Sequence, residues 1–183
     1  NLWGFGPNKS EKKIPTEVEV NKALKLVGQA QLLELIPGLR QLKKATPKVS
    51  INLSALAKGF GIDMVARTLE EQKIRNFLVE IGGDLITSGT NKDGKAWTIG
   101  IEAPKLEEQI VQSVIKIKNQ AMATSGDYKN FFEKNGIKYS HIINPKTGYP
   151  IQHKTLSVTV LAETAVLADG WATAMLVLGS NEG

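Results

Sequence analysis

Apolar residues at helical spacing predict three helices along the chain. Thr16 and Glu19 form a capping-box pattern at the start of the first helix, which ends at Gly28. A second helix follows a strand predicted at 49–53, and a third covers 165–178 and ends at Gly179. The apolar positions of the first helix are Val20, Ala23, Leu24 and Val27, and the buried stripe of the second is Ile62, Val65, Ala66 and Leu69.

Segments of alternating or continuous apolar residues predict more strands than helices. Besides 49–53, these strands lie at 77–81, 85–90, 97–102, 114–118, 121–124, 128–134, 137–143 and 156–162. Turns at 91–94 and at Asn135–Gly136 predict hairpins that join the strands on either side of them. Several neighbouring strands are therefore antiparallel. The pattern predicts an α+β fold, in which a mixed, largely antiparallel sheet packs against helices.

Composition and charge exclude several classes of site. The chain has 183 residues and no cysteine, so disulfides, thiolate zinc sites, iron–sulfur clusters and a cysteine nucleophile are excluded. The net charge of +5 lies within the first fifty residues, which carry nine bases and four acids, and the rest of the chain is neutral. We therefore expect no nucleic-acid partner. No apolar run approaches the roughly 18 residues of a membrane helix, and no signal peptide is recognisable.

The length fits one domain, but the first residues resemble the interior of a protein. Trp3 and Phe5 stand among glycines, where a polar terminus is more usual. We therefore expect a fragment of a longer chain.

Two glycine-containing segments are candidate binding turns. Residues 52–63 run from the predicted strand through small residues into a helix, whose free N–H groups and Lys58 suit an anion. Simple strand-to-helix packing, with Lys58 and Asp63 in solvent, is the alternative. At Glu80-Ile81-Gly82-Gly83-Asp84, paired glycines let another group approach the backbone, or they form only a turn with a charged tip.

A third polar region combines small hydroxyl side chains with a histidine. Thr124 and Ser125 precede a glycine, and their hydroxyls suit contacts with phosphate oxygens. His141 precedes a turn rich in proline and glycine, where either a structural or a chemical role is open. His153 lies in a more polar setting and is expected at the surface. A metal site built from the two histidines is not expected.

The fourth region is the third helix, where Asp169 and Thr173 share one face. They lie four residues apart on a helix whose neighbouring positions are apolar or small. A carboxylate and a hydroxyl on such a face need partners. Either a hard cation bound by oxygen ligands or a hydrogen-bonded pair satisfies them, and Asp169 capping another segment is a further alternative.

In their order along the chain and in their residues, these segments resemble those of the ApbE family, the FAD:protein FMN transferases. The resemblance spans nearly the whole chain. The segments that carry it are Leu2-Trp3-Gly4-Phe5-Gly6, residues 52–63, Gly82-Gly83-Asp84, residues 123–128, His141-Ile142-Ile143-Asn144-Pro145 with Thr147-Gly148, and Ser157-Val158-Thr159-Val160 leading to Asp169 and Thr173.

The resemblance implies that residues 1–183 are a single ApbE-like domain without the family's N-terminal part and last C-terminal elements. Such proteins bind FAD with Mg²⁺ and transfer FMN to a Thr or Ser hydroxyl of a target protein, releasing AMP. Two alternatives use the same site. An FAD pyrophosphatase uses water as the acceptor and gives FMN and AMP, and a flavin-binding module binds the flavin without catalysing a reaction. The resemblance also implies a lipoprotein in the periplasm or on the outer face of the cytoplasmic membrane, attached only through an N-terminal anchor outside this chain.

The resemblance also assigns roles to particular residues. The metal ligands are Asp169, Thr173 and the backbone carbonyl of Ala55. His141 matches the histidine regarded as catalytic, acting either as a base or as an orienting group. The residues expected to contact the flavin and the diphosphate are Lys58, Gly59, Asp63, Glu80, Gly82, Gly83, Asp84, Thr124 and Ser125.

Overall fold

The computed structural model describes residues 1–6, 11–104, 110–128 and 130–183. They form two compact units, which are described separately. The first unit comprises Asn1–Asn52 and Asn130–Gln152, and the second comprises Leu53–Lys129 and His153–Gly183. That the whole chain is a single domain stays a prediction.

The first unit contains two short helices and two small hairpins. Its helices are α1 (Glu17–Leu24) and α2 (Gln29–Leu32), and its strands are β1 (Leu33–Ile36), β2 (Gln41–Lys44), β8 (Phe131–Lys134) and β9 (Ile137–Ser140). A short 3₁₀ helix, Pro37–Leu39, joins β1 to β2. The capping box at Thr16 and Glu19 is confirmed, since each side chain bonds the other residue's backbone N–H.

The predicted hairpin at Asn135–Gly136 is also confirmed. Asn135 and Gly136 both have positive φ, at 53° and 73°, as the favoured two-residue turn between antiparallel strands requires. Residue 129, within the strand predicted at 128–134, lies outside the described residues.

The second unit is built around a four-stranded antiparallel sheet. Its strands are β3 (Phe77–Ile81), β4 (Asp84–Ser88), β7 (Ala121–Gly126) and β10 (Ser157–Ala162), in the order β10–β7–β4–β3. A separate antiparallel pair consists of β5 (Trp97–Glu102) and β6 (Val111–Ile117). The helices are α3 (Ala57–Glu71) and α4 (Ala165–Leu178).

Strand β7 supplies side chains to two hydrophobic clusters among the described residues of this unit. Ala121 and Ala123 belong to a cluster with residues of α3 and α4, whereas Met122 belongs to a cluster with residues of β5 and β6. Alternate residues of a strand point to opposite faces, so the sheet lies between the helices on one side and the β5–β6 pair on the other. The predicted α+β class, with largely antiparallel strands, is confirmed.

Four details of the predicted elements are wrong. Helix α1 ends at Leu24 and does not continue to Gly28, and Val27 is exposed. Strand β4 does not pair with β5 across residues 91–94; it pairs with β3 through Gly82–Gly83, a two-residue turn with both φ values positive. Residues 49–53 form no strand, and the Val49 carbonyl accepts a hydrogen bond from the Lys44 side chain instead. Val65, expected in the buried stripe of α3, is exposed, because Gly59, Ile62 and Ala66 form the buried face.

Within the described residues, no helix combines the length and the apolar character needed to cross a membrane.

Candidate functional site

The N-terminus of α4 is held by a side chain of α3. The two carboxylate oxygens of Asp63 accept the N–H groups of Ala165 and Val166, at 2.8 and 2.9 Å. The Thr164 hydroxyl accepts the N–H of Leu167. The N–H groups at the start of a helix have no partner within the helix, so these bonds satisfy the first three. Asp63 therefore fixes the position from which α4 presents its polar residues.

Asp169 lies on the face of α4 that packs closely against α3. Its side chain accepts the backbone N–H of Gly59 at 3.0 Å, and the residue is 4% exposed. A Cβ at Gly59 would overlap the backbone of Ala165, so glycine permits this close approach. Burial raises the pKa of Asp169 and nearby Asp84 adds to that effect, whereas the Gly59 N–H and Lys58 oppose it.

Hydroxyl groups connect α4 to β7, and β7 to β10. Thr173 lies one turn after Asp169, and its hydroxyl is 3.0 Å from that of Ser125 on β7. The neighbouring Thr124 hydroxyl is 2.8 Å from that of Thr159, its register partner on β10. Because consecutive residues of a strand point to opposite faces, Ser125 contacts α4 on one face of the sheet, and Thr124 pairs with Thr159 on the other.

The buried carboxylate of Asp84 orients Lys58, which is the one basic side chain in residues 52–63. The Lys58 ammonium is 2.8 Å from Oδ2 of Asp84, which is 1% exposed. Oδ1 of Asp84 accepts the backbone N–H of Thr124 at 3.1 Å. Lys58 also donates to the Gly82 carbonyl at 3.4 Å. One carboxylate thus links the start of α3, the β3–β4 turn and β7.

The β3–β4 turn is shaped by its two glycines. Gly82 and Gly83 have φ values of 57° and 92°, which side-chain-bearing residues rarely adopt. Glu80 accepts the N–H of Gly83 and is exposed. The turn thus holds its backbone beside Lys58 without bulky side chains over it.

A cavity of about 280 Å³ opens beside this turn. Four of the residues assigned to flavin and diphosphate binding line it: Lys58, Gly82, Gly83 and Thr124. The other lining residues are Gly100, Ile101, Glu102, Met122, Gly126 and Tyr128. All the predicted flavin, diphosphate and metal residues belong to the second unit. Their contacts with a flavin or a metal stay predictions.

Sequence reasoning missed three side chains of this site. Thr159 reaches Thr124, and its alternation within β10 was the signal that could have indicated it. Tyr128 lines the cavity and follows Ser125-Gly126-Asp127 directly, so its motif was visible but its role was not. Glu102 ends β5, and nothing local in the sequence indicates its place at the cavity.

His141 lies in the first unit, immediately after β9. Its Nδ1 is 2.9 Å from the Asn130 carbonyl, which also accepts the His141 backbone N–H at 3.0 Å. The ring of Phe5 meets the imidazole edge-on, with the centroids 6.3 Å apart. The first unit also has a larger cavity of about 800 Å³, mostly apolar, which none of the predicted site residues lines.

His153 was expected at the surface, and that expectation is wrong. The residue is half-buried, with Nε2 2.8 Å from the Leu176 carbonyl near the end of α4. A Cβ at Gly179 would collide with its ring. His153 thus packs under the C-terminus of α4.

The predicted cation site relies on oxygen donors of different kinds, and only one of them is a carboxylate. Among the described residues, no three His, Cys, Asp or Glu side chains come together as a metal cluster would require. The predicted donor set is a buried carboxylate, a hydroxyl and a backbone carbonyl, at Asp169, Thr173 and Ala55. Such an all-oxygen set fits Mg²⁺, which commonly takes one or two carboxylates and completes its shell with substrate phosphates and water.

Comparisons with known proteins agree over the whole chain. The chain is 45% identical over 183 residues to the FAD:protein FMN transferase of Vibrio cholerae and 46% identical over 184 residues to that of Haemophilus influenzae. Both matches cover all of this chain but only 54% and 53% of the relatives. The chain therefore spans about half the length of the curated relatives it matches.

Solved structures give the same result. The flavin transferase ApbE from Vibrio cholerae superposes with a TM-score of 0.86 at 41% identity, covering 99% of this chain and 56% of that one. The ApbE protein from Thermotoga maritima gives 0.85 at 32% identity, covering 99% and 57%. The model of the ApbE family matches residues 1–183. The chain therefore belongs to the ApbE family.

Proposed function

We propose that the complete protein transfers FMN from FAD to a Thr or Ser hydroxyl of a target protein and releases AMP. The observation that carries this proposal is the glycine-lined cavity with Lys58 at its edge, held by the buried Asp84. A cationic group beside exposed backbone suits a diphosphate, whose charge must be offset before an oxygen nucleophile approaches. The names of the relatives support FAD and a protein as the two substrates.

The reaction breaks the phosphoanhydride bond of FAD and forms a phosphoester bond to the acceptor. The acceptor oxygen forms a bond to the phosphorus of the FMN half, and the bond from that phosphorus to the bridging oxygen breaks. AMP leaves with the bridging oxygen, and the acceptor proton goes to a base. Such a transfer depends more on positioning and charge stabilisation than on covalent chemistry by the protein.

Lys58 is assigned to the diphosphate, and Asp84 to positioning Lys58. Asp84 is almost completely buried, and its two oxygens contact the lysine ammonium and the Thr124 N–H. We assign Thr124 and the turn at Gly82 and Gly83 to the same ligand, because all three line the cavity.

Asp169, Thr173 and the Ala55 carbonyl are assigned to Mg²⁺. When bound, Mg²⁺ supplies positive charge that neutralises phosphate oxygens. The chain prepares for it by holding α4 through Asp63 and by orienting the Asp169 carboxylate through the Gly59 N–H. His141 is assigned as the base that accepts the proton of the acceptor hydroxyl, since an imidazole is half-protonated near neutral pH.

The test uses the complete protein with FAD, Mg²⁺ and an acceptor protein. We expect a fluorescent acceptor band on a denaturing gel and one AMP released per FMN transferred, measured by chromatography. Asp169→Asn should remove the band and keep the fold, because its amide oxygen still accepts the Gly59 N–H. Full activity of Asp169→Asn would overturn the metal assignment.

AMP and free FMN released without acceptor would indicate an FAD pyrophosphatase, and tight FAD binding without AMP release would indicate a flavin-binding module.

We also propose that the protein acts in the periplasm or on the outer face of the cytoplasmic membrane, as the family resemblance implies. Fractionation of cells that produce the complete protein tests this location. Recovery in the cytoplasmic fraction alone would contradict it.

A further inference from the structure

A single backbone carbonyl holds His141 at two points. The Asn130 carbonyl oxygen is 3.0 Å from the His141 backbone nitrogen and 2.9 Å from Nδ1 of its ring. A carbonyl oxygen accepts hydrogen bonds and cannot donate them. Nδ1 must therefore carry a proton when it bonds there, and in the neutral ring the lone pair lies on Nε2.

The ring of Phe5 lies beside the same imidazole. Phe5 meets His141 edge-on at 6.3 Å and packs against Phe132 at 5.7 Å. Phe132 stacks in turn on Tyr139, with the centroids 5.0 Å apart. The hydrogen bond at Nδ1 and the neighbouring Phe5 ring therefore both restrict rotation of the His141 imidazole.

We propose that the Asn130 carbonyl and the Phe5 side chain fix His141 as the Nδ1–H tautomer, which makes Nε2 the basic nitrogen. The inference rests on the proposed function, in which His141 accepts the acceptor's proton. That proton moves from the acceptor oxygen to Nε2, while the Nδ1 proton stays on the bond to Asn130. The imidazolium then loses the Nε2 proton to solvent, which restores the same tautomer. Asn130 and Phe5 are positioning residues, and the Phe5 role gives the Leu2-Trp3-Gly4-Phe5-Gly6 segment a specific part in the chemistry.

The second histidine provides an internal comparison. His153 bonds the Leu176 carbonyl through Nε2 at 2.8 Å. By the same argument, its neutral ring is the Nε2–H tautomer. The sequence contains only these two histidines, and the structure assigns them opposite tautomers.

The experiment is a long-range ¹H–¹⁵N correlation spectrum of the complete ¹⁵N-labelled protein at about pH 9, well above the ordinary histidine pKa of about 6.5. Protonated and bare ring nitrogens have well-separated ¹⁵N shifts, and the pattern of cross-peaks identifies each nitrogen. His141→Gln and His153→Gln assign the two rings. We expect a protonated Nδ1 in His141 and a protonated Nε2 in His153. An Nε2–H tautomer at His141 would overturn the proposal.

Phe5→Leu tests the aromatic contribution. We expect kcat to fall about tenfold with KM for FAD unchanged, because a misplaced base slows chemistry without weakening substrate binding. The His141 signals should also shift toward a mixture of tautomers. Phe131→Leu is the matched control, since Phe131 precedes Phe132 on β8 and its ring contacts Lys138 instead. Equal effects of the two substitutions on kcat and on the spectrum would contradict a role for Phe5.

The tautomer and the proposed function can fail independently. If His141→Gln keeps the wild-type transfer rate while the wild-type spectrum shows the Nδ1–H form, the base role proposed above is overturned and the tautomer assignment stands. If His141→Gln abolishes transfer but the wild-type ring is the Nε2–H form, the base role stands and this inference is overturned.

Discussion

Three carboxylates are buried among the described residues of the second unit, and two of them, Asp84 and Asp169, are held by different partners. Asp84 contacts the Lys58 ammonium and the N–H of Thr124. Asp169 accepts the N–H of Gly59, and burial raises its pKa. The Lys58 ammonium is thus the neighbouring positive charge for two acidic groups. Burying a carboxylate without a partner is costly, so this lysine stabilises the fold besides its proposed role toward a diphosphate.

Lys58→Met should lower the free energy of unfolding by about 1–3 kcal/mol, because the Asp84 carboxylate loses its partner while staying buried. The double variant Lys58→Met/Asp84→Asn should recover much of that loss, since the buried charge is gone. We expect both variants to bind FAD more weakly than the wild type, because both lack the Lys58 ammonium. Urea unfolding and FAD titration measure the two effects. A double variant less stable than Lys58→Met alone would contradict this account.

At the scale of elements, α4 was predicted with its bounds intact, whereas the pairing of β4 was not. Continuous small and apolar residues with Gly179 at the end define α4 within the local sequence. Residues 91–94 form a turn, with Asn91 accepting N–H groups of Asp93 and Lys95. A turn does not determine which strands pair, and the two glycines at 82–83 form the tighter one. Strand partners therefore depended on sheet packing that local pattern does not encode.

The close approach of α3 to α4 depends on Gly59. Gly59→Ala should cost about 1–3 kcal/mol of unfolding free energy, because the added methyl group would overlap the backbone of Ala165. Gly61→Ala is the matched control on the same helix, since nothing lies within 4 Å of its added Cβ. We expect this control to stabilise by about 0.4–1 kcal/mol. Thermal and urea unfolding measure both, and equal effects would refute the close-packing argument.

The α1 capping box makes stability depend on pH. The hydrogen bond from Lys13, with further bonds from Thr16, lowers the pKa of Glu19 to about 2 from its ordinary value of 4.5. A lowered pKa stabilises the fold above pH 4.5, and this contribution is lost as the pH falls toward 2. Glu19→Gln keeps a capping side chain without the charge. Its melting temperature should lie below that of the wild type at pH 7, and the difference should vanish near pH 2. A constant difference across this range would contradict the assignment.

Across the whole molecule, motifs identified the site residues but not their connections. Lys58, Gly82, Gly83 and Thr124 come from three segments of the sequence, and only folding brings them to one cavity. Local pattern also left the roles of Asp63 and Asp84 open, because their main partners lie far along the chain or on the backbone. His141 could be singled out as a residue, yet its tautomer depends on a carbonyl eleven positions earlier.

Substrate and metal should stabilise the complete protein together. Saturating FAD with Mg²⁺, at about 100 times the dissociation constant, should add about 2.7 kcal/mol to the unfolding free energy, since ligand binds only the folded state. EDTA should remove most of this gain if Asp169 and Thr173 hold the metal beside the diphosphate. Calorimetry measures the melting temperature in each condition. An EDTA-insensitive shift would contradict a metal-dependent FAD site.

The bonds from Asp63 to the start of α4 have an evolutionary consequence. The two carboxylate oxygens of Asp63 accept backbone N–H groups 102 and 103 positions away, and every residue except proline offers such a group. The residue type at position 63 is therefore constrained, but no other position has to change its residue type together with it. We expect an alignment of relatives to keep the carboxylate and to avoid proline at 165 and 166, although proline is otherwise favoured at 165, the first position of the helix. Methods that infer contacts from correlated substitutions would miss this bond entirely.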